Sequence, residues 1–256
     1  MPRISLKKLH ALKSSKVGIT AITAYDASFA KFFDNCGVDI ILIGDSLGEV
    51  IKGEKNTHKV TLDEMIYHTS AVCRSTKSSY LIADIPKESC KSINRLIRDA
   101  KKLFRVCKIN MLKIEVNSKN IHYLSKLHDE KIPVCCHLGL TPQYVTSRKN
   151  FRKYGKYPSE RTEIIKNACL AEKLGAKILL LECVSDEVVN RLKAIMKIPI
   201  IGIGSGKSCD GQIIVCYDLL GISYNQAPSF LDKKYLLISS FHARLKKYIS
   251  NVKKFT

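Results

Sequence analysis

Four apolar runs of the sequence each end in a carboxylate: Asp45, Asp84, Glu115 and Glu182. A carboxylate can bind a cation or accept a proton. Charges at the carboxyl ends of parallel strands lie where α/β enzymes carry out their chemistry. Hard oxygen donors at such an edge suit Mg²⁺, which usually takes one or two protein carboxylates and fills its other positions with water and substrate. The pattern therefore predicts one acidic cluster that binds a divalent cation.

Two of the polar residues in these runs have neighbours that suggest a role. With the two-residue period of a strand, Lys113 faces the same side as Glu115. An ammonium group there would either neutralise the acids or bind an anionic substrate. Glu182 lies between apolar neighbours, where a carboxylate is costly unless it is paired. This setting favours a role for Glu182 as a general base.

Structural alternatives stay open at three of the positions. Asp45 and Asp84 both precede turn-like sequence, so either could serve only as a turn residue or a helix N-cap. His137 directly follows an apolar run, which is more typical of a buried core histidine than of a ligand. The glycines between 202 and 206 lack the strand–helix context of a dinucleotide-binding loop. They indicate a tight turn or the close approach of a ligand.

The elements that would position these residues alternate regularly along the chain. Continuous β-branched runs are typical of strands covered by helices on both faces. Strands are predicted at 18–25, 40–45, 81–84, 110–115, 133–137, 177–182, 199–204 and 212–216. Asp26 is a predicted N-cap, and Thr61 with Glu64 forms a predicted capping box. We therefore expect a single-domain (β/α)₈ TIM barrel over 1–256, with an N-terminal helix and a C-terminal amphipathic helix. An open doubly wound sheet is the alternative, because a sequence cannot show closure.

Length and composition agree with an enzyme of this class. A chain of 256 residues has the usual size of one α/β barrel. No stretch approaches the roughly 18 apolar residues of a membrane span, and the N-terminus lacks the apolar core of a secretory signal. The ten cysteines include no CxxC pair. We therefore expect reduced thiols, a cytoplasmic location and no membrane partner.

The formal net charge of +20 raises the question of nucleic acid binding. The lysines are dispersed along the chain instead of gathering in one arm or helix. No zinc-finger spacing or aromatic ribonucleoprotein motif accompanies them. We therefore expect no nucleic acid partner, and a milder effect of the charge would be attraction of an anionic substrate.

Several blocks of sequence occur in the order found in a known family. They include Gly44-Asp-Ser-Leu-Gly48, Lys113-Ile-Glu115, His137-Leu-Gly-Leu-Thr-Pro-Gln143, Leu181-Glu-Cys-Val184 and Ile198-Pro-Ile-Ile-Gly-Ile-Gly204. On these blocks the chain resembles the ketopantoate hydroxymethyltransferase family of the phosphoenolpyruvate/pyruvate barrel superfamily. The likeness covers nearly the whole chain. It departs from the family pattern after Glu115, where Val116-Asn117 stands in place of glycines.

The resemblance implies a metal site and a substrate site. By this likeness Asp45 and Asp84 would bind Mg²⁺, with Glu115 at the metal directly or through water. A small 2-oxo acid would chelate the ion, so that Asp45 and Asp84 also belong to the substrate site. Ser46 and Lys113 would hold the oxygens of this substrate.

The resemblance also implies a reaction and an assembly. Glu182 would remove the C3 proton of 3-methyl-2-oxobutanoate, and His137 would support the site from behind its ligands. The enolate, stabilised by Mg²⁺, would attack the one-carbon unit of 5,10-methylenetetrahydrofolate, giving 2-dehydropantoate and tetrahydrofolate in pantothenate biosynthesis. A homo-oligomer, often a decamer, is expected on the same ground.

Three alternative functions are also compatible with parts of the sequence. A metal-dependent lyase acting on a 2-oxo dicarboxylate would share the barrel and the acids, but the blocks at Lys113–Glu115 and Leu181–Val184 favour the transferase. The other two are a folded but catalytically weak relative and a basic RNA-binding barrel. An assay of condensation activity would identify the weak relative. Salt-dependent retention on nucleic acid would identify the RNA-binding barrel.

Overall fold

In the computed structural model, which describes residues 3–145 and 151–254, eight parallel strands close into a barrel. Each strand pairs with its neighbour in the chain, and the last pairs with the first. The strands are β1 Ile19–Thr23, β2 Ile40–Ile43, β3 Tyr80–Asp84, β4 Met111–Glu115, β5 Val134–Gly139, β6 Ile178–Glu182, β7 Ile200–Ile203 and β8 Gly211–Ile214. The predicted (β/α)₈ barrel is confirmed, and closure excludes the open sheet.

Helices alternate with these strands and cover the outside of the barrel. In the described ranges they are α1 Leu6–Ser14, α2 Ala27–Asn35, α3 Leu47–Val50, α4 Leu62–Ser75, α5 Ile93–Val106, α6 Tyr123–Asp129, α7 Pro158–Lys173, α8 Asp186–Ile195, α9 Cys216–Leu220 and α10 Phe241–Lys254. The predicted terminal helices correspond to α1 and α10. No helix in these ranges has the length and apolar character needed to cross a membrane.

Local sequence signals fix several of the helix ends. The Asp26 side chain accepts hydrogen bonds from the first turn of α2 at 2.8 and 3.0 Å. The Thr61 hydroxyl and the Glu64 carboxylate bond each other's backbone N–H groups at the start of α4, as the capping box predicts. The prediction was wrong by two residues at β2, which ends at Ile43, because Gly44 and Asp45 already form the turn that leads into α3.

The barrel interior is filled by every second residue of the strands. The inward row of β4, for example, is Met111, Lys113 and Glu115, and the first of these lies in the apolar cluster inside the barrel. On three strands the last inward residue is acidic, namely Asp84, Glu115 and Glu182. The alternation of a strand therefore directs these acids into the carboxyl-terminal mouth of the barrel.

The opposite end of the barrel is closed by α1, whereas α10 packs on the outside of the barrel against β1 and β8. Leu9 of α1 is completely buried beneath the inner cluster, and Lys13 pairs with Asp210 at 2.6 Å. The Tyr248 hydroxyl of α10 bonds the carbonyl oxygens of Ala21 and Gln212 at 2.9 and 2.7 Å. The contacts of α1 thus cover the base of the barrel, those of α10 join the last strand to the first on the outside, and the other end stays open for chemistry.

The cysteines are all reduced, as predicted. The ten thiols are free, and seven of them are buried. Burial raises the pKa of Cys135 to about 12 and that of Cys209 to about 12. Thiols with such pKa values are packing groups and poor nucleophiles at neutral pH.

Candidate active site

Asp84 at the end of β3 joins two other predicted site residues. Its Oδ2 accepts a hydrogen bond from the backbone N–H of Asp45 at 2.9 Å. Its Oδ1 lies 2.7 Å from Nζ of Lys113 on the adjacent strand. Gly44 leaves room for the neighbouring Ser46 side chain, because a Cβ added to it would lie 2.7 Å from Oγ of Ser46. The predicted acids from β2 and β3 and the predicted lysine from β4 therefore form one cluster.

This cluster is buried, so its charges act on one another strongly. Burial raises the pKa of the Asp84 carboxyl, and the nearby Asp45 adds to that effect while the Lys113 ammonium opposes it. Burial alone would lower the pKa of Lys113, but the carboxylates of Asp84, Asp45 and Glu115 outweigh it and raise the pKa. Lys113 therefore stays protonated at neutral pH and supplies a fixed positive charge inside the barrel mouth.

A second group of residues links the other two acids through a histidine. Nδ1 of His137 lies 3.5 Å from Oε1 of Glu115, and Nε2 lies 3.4 Å from Oε2 of Glu182. Neither ring nitrogen has a hydrogen bond of normal geometry within the described residues. Burial and Lys113 act to lower the pKa of His137, but the two carboxylates outweigh them and raise it. Burial also raises the pKa of Glu115.

Gln143 completes the cluster and was not assigned a role from the sequence. Its backbone N–H donates to Oε2 of Glu115 at 3.0 Å, and its Nε2 donates to Oδ2 of Asp45 at 2.8 Å and to the carbonyl of Ile85 at 3.0 Å. The side chain is 1% exposed. Its position at the end of the His137–Gln143 block was the signal that could have identified it.

Ser46 is held by a buried tyrosine, Tyr25, for which the sequence predicted no role. The hydroxyl oxygens of Tyr25 and Ser46 are 2.8 Å apart. Burial raises the pKa of Tyr25 well above its ordinary value, so its phenol stays neutral. The main chain of Tyr25 is in turn fixed by His68, whose Nδ1 lies 2.6 Å from the Tyr25 carbonyl oxygen. Ser46 therefore has a defined orientation.

A cavity of about 310 Å³ opens at this end of the barrel, and both Ser46 and Glu182 line it. Glu182 has a side chain that is 17% exposed, whereas Glu115 and His137 behind it are each 1% exposed. Cys183 also lines the cavity, but burial raises its pKa to about 12. Glu182 is thus an acid that a small molecule in the cavity can reach.

The residues of the cluster fit a hard divalent cation. Within the described ranges, no three His, Cys, Asp or Glu side chains form a metal-binding group by themselves. Mg²⁺ does not require such a group, because it needs only one or two carboxylates beside water and substrate. Asp45 and Asp84 supply two adjacent carboxylates, and the buried Oε1 of Gln143 has no hydrogen-bond partner among the described residues. This donor set is all oxygen, as Mg²⁺ prefers.

The family model and the curated relatives that match this chain agree on one family. The model of the ketopantoate hydroxymethyltransferase family matches residues 3–256. The 3-methyl-2-oxobutanoate hydroxymethyltransferase of Vesicomyosocius okutanii subsp. Calyptogena okutanii is 42% identical over 228 residues, which cover 89% of this chain and 87% of that relative. The 3-methyl-2-oxobutanoate hydroxymethyltransferase 2 of Aliivibrio fischeri is 37% identical over 256 residues, covering 100% and 97%.

Solved structures with a similar barrel come from other enzymes. A 2,3-dimethylmalate lyase of the PEP mutase/isocitrate lyase superfamily superposes with a TM-score of 0.62 at 15% identity, covering 84% of this chain and 82% of the lyase. The phosphoenolpyruvate phosphomutase of Streptomyces platensis subsp. rosaceus gives a TM-score of 0.64 at 13% identity, covering 85% and 83%. At these identities the likeness concerns the fold alone.

Proposed function

The chain belongs to the ketopantoate hydroxymethyltransferase family, and from this membership we propose its reaction. It transfers a hydroxymethyl group from 5,10-methylenetetrahydrofolate to 3-methyl-2-oxobutanoate, consuming water and giving 2-dehydropantoate and tetrahydrofolate. The observation that carries the proposal is that the reachable carboxylate of Glu182 shares one cavity with Ser46. The buried cluster of Asp84 and Lys113 lies at the same end of the barrel.

Asp45 and Asp84 would hold a Mg²⁺ ion, with Glu115 at the metal directly or through water. When bound, the ion supplies positive charge to the 2-oxo acid and makes its C3 hydrogen more acidic. The amide oxygen of Gln143, which has no hydrogen-bond partner among the described residues, would be a further oxygen donor to the ion.

Lys113 and Ser46 act on the oxygens of the 2-oxo acid. The ammonium of Lys113 is protonated because three carboxylates surround it, and it offers fixed positive charge to a substrate that is itself an anion. The hydroxyl of Ser46 is oriented by Tyr25 and can donate to a substrate oxygen. Groups that are already oriented stabilise developing charge without reorganisation.

Glu182 accepts the proton from C3. Its carboxylate faces the cavity, and its Oε2 is held 3.4 Å from Nε2 of His137. The electron pair left by the proton forms the enolate of the 2-oxo acid. Water adds to the one-carbon unit of the folate, and both of its C–N bonds break as tetrahydrofolate leaves with the protons. C3 then bonds to this carbon, whose oxygen takes a proton and becomes the hydroxyl group of the product.

The test is a condensation assay with 3-methyl-2-oxobutanoate and 5,10-methylenetetrahydrofolate. We expect 2-dehydropantoate with Mg²⁺ present and its loss with a chelator, restored by added Mg²⁺. Equal turnover with and without the chelator would contradict the metal assignment. No product in either condition, from a folded protein, would contradict the proposed reaction.

A further inference from the structure

The cavity lined by Glu182 and Ser46 is also lined by residues that have no role in the proposed chemistry of the 2-oxo acid. The cavity has a volume of about 310 Å³. Ile203 and Phe230 form apolar walls, and a group of polar side chains from the segment after β8 also lines it. Small-molecule sites commonly combine apolar walls with a few such polar groups. These additional lining residues therefore have the composition of a second binding site.

The cavity continues into a groove, which indicates a long ligand. A groove of about 580 Å³ adjoins it, and Glu49, Phe151 and Asn225 line both. Tyr224 lies along this groove and is 71% exposed. A compact head in the cavity and a tail in the groove would fill both spaces.

Asp218 is a buried acid among these additional residues of the cavity. It lies in the first turn of α9, lines the cavity and is 9% exposed. Burial raises the pKa of the Asp218 carboxyl, and a hydrogen bond to Ser223 opposes this effect. A buried carboxylate is costly unless donors satisfy it. A ligand that brings N–H donors into the cavity would provide them.

We propose that Asp218 binds the 2-amino-4-oxopteridine head of the folate co-substrate, with the remainder of the folate in the adjoining groove. The ring N3–H and the 2-amino group are two parallel donors, and they match the two oxygens of one carboxylate. The flat ring packs against Phe230 and Ile203, and the aromatic side chains of Phe151 and Tyr224 line the path of the tail. This assignment rests on the proposed function, because it identifies the site of that reaction's second substrate.

The experiment measures recognition of the 2-amino group itself. Folic acid and 2-desaminofolic acid are titrated by calorimetry into the full-length protein, into Asp218→Asn, and into Asp232→Asn. The last variant makes the same charge change on an exposed residue of the same region. Wild type and Asp232→Asn should bind folic acid about tenfold to a hundredfold more tightly than the desamino compound, the range expected for charged hydrogen bonds. Asp218→Asn should lose this preference.

Two outcomes would overturn the inference. A wild-type protein with no preference between the two compounds would show that no group reads the 2-amino end, and this measurement needs no variant to fold. A preference that persists in a folded Asp218→Asn would show that another residue reads it. The condensation assay separates these failures from a failure of the proposed function, because product formation without the preference overturns only the Asp218 assignment.

Discussion

The amide of Gln143 donates a hydrogen bond of 2.8 Å to the carboxylate of Asp45, a residue 98 positions earlier in the chain. The backbone N–H of the same glutamine bonds Glu115 at 3.0 Å. One residue from the loop after β5 thus fixes two acids, one from the turn after β2 and one from the end of β4. Groups that orient metal ligands from outside strongly affect metal affinity.

Replacing Gln143 should therefore weaken metal binding while leaving the barrel intact. Gln143→Leu removes the side-chain donors to Asp45 and Ile85, and we expect the affinity for Mg²⁺ to fall about 10- to 100-fold, measured by calorimetric titration. Gln212→Leu is the matched control, because the side-chain amide of Gln212 donates to the backbone carbonyl of Gly206, away from the acids of the site. An unchanged Mg²⁺ affinity in Gln143→Leu would show that Asp45 does not depend on this contact.

Asp45 and Asp84 should differ in their effect on stability, although each variant should lose Mg²⁺-dependent turnover. Asp84→Asn leaves Lys113 as a buried cation without the partner at 2.7 Å, and we expect it to lower the free energy of unfolding by about 3–5 kcal/mol. Asp45 forms no ion pair with a cation among the described residues and accepts a hydrogen bond from the neutral amide of Gln143, so Asp45→Asn should cost less. In urea denaturation, adding Lys113→Met to Asp84→Asn should restore much of the stability without restoring turnover. Equal stability of the two single variants would contradict the buried pair.

Lys113 should affect both binding and chemistry. Lys113→Met keeps the side-chain length but removes the charge beside the developing enolate, so we expect steady-state kinetics to show a higher KM for the 2-oxo acid and a lower kcat. Lys13→Met is a useful comparison, because Lys13 pairs with Asp210 at the closed end of the barrel. If both kinetic constants stayed at wild-type values in Lys113→Met, the proposed contact with substrate would be wrong.

Asp34 provides a prediction on pH and stability. Burial would raise the pKa of this carboxyl, but hydrogen bonds from the backbone N–H groups of Lys77, Ser78 and Ser79 outweigh burial and lower it. A lowered folded-state pKa adds stability above the unfolded value of about 3.9, and this stability is lost as the pH falls through the folded-state pKa. Asp34→Asn should cost about 1–3 kcal/mol at pH 7 and less near pH 3.

Chemical denaturation at several pH values measures this effect. Asp129→Asn is the control, since the Asp129 side chain is 64% exposed and its ion pair with Lys126 is long, at 3.7 Å. A cost of Asp34→Asn that stayed constant from pH 7 to pH 3 would mean that the carboxylate charge does not contribute.

The sequence predicted the inward acids because strand periodicity alone decides their direction. Asp84, Glu115 and Glu182 end strands whose alternate residues are apolar, so their location inside the barrel mouth follows from the pattern. Which of them meet depends on the register between strands. Asp84 lies opposite Lys113, and Glu115 lies opposite His137. That register is set by the stagger of the closed barrel, which no local pattern contains.

The contacts made by loop residues could not be predicted from the sequence for a different reason. Gln143 and Tyr25 reach the site because turns bring them over the barrel mouth, and their partners Asp45 and Ser46 also lie in a turn. Loop conformation depends on contacts that are distant in the chain. The family likeness marked the block containing Gln143 but assigned the residue no role.

We propose that Glu182 removes the C3 proton, and hydrogen exchange in the absence of folate tests this role. Wild type, Glu182→Gln and the exposed control Glu187→Gln are incubated with 3-methyl-2-oxobutanoate and Mg²⁺ in deuterated water, and NMR follows loss of the C3 hydrogen. Glu182→Gln keeps the shape of the side chain but cannot accept the proton, so its exchange rate should fall by on the order of 10²-fold or more, while Glu187→Gln should exchange like wild type. Exchange at the wild-type rate in a folded Glu182→Gln would show that another group is the base.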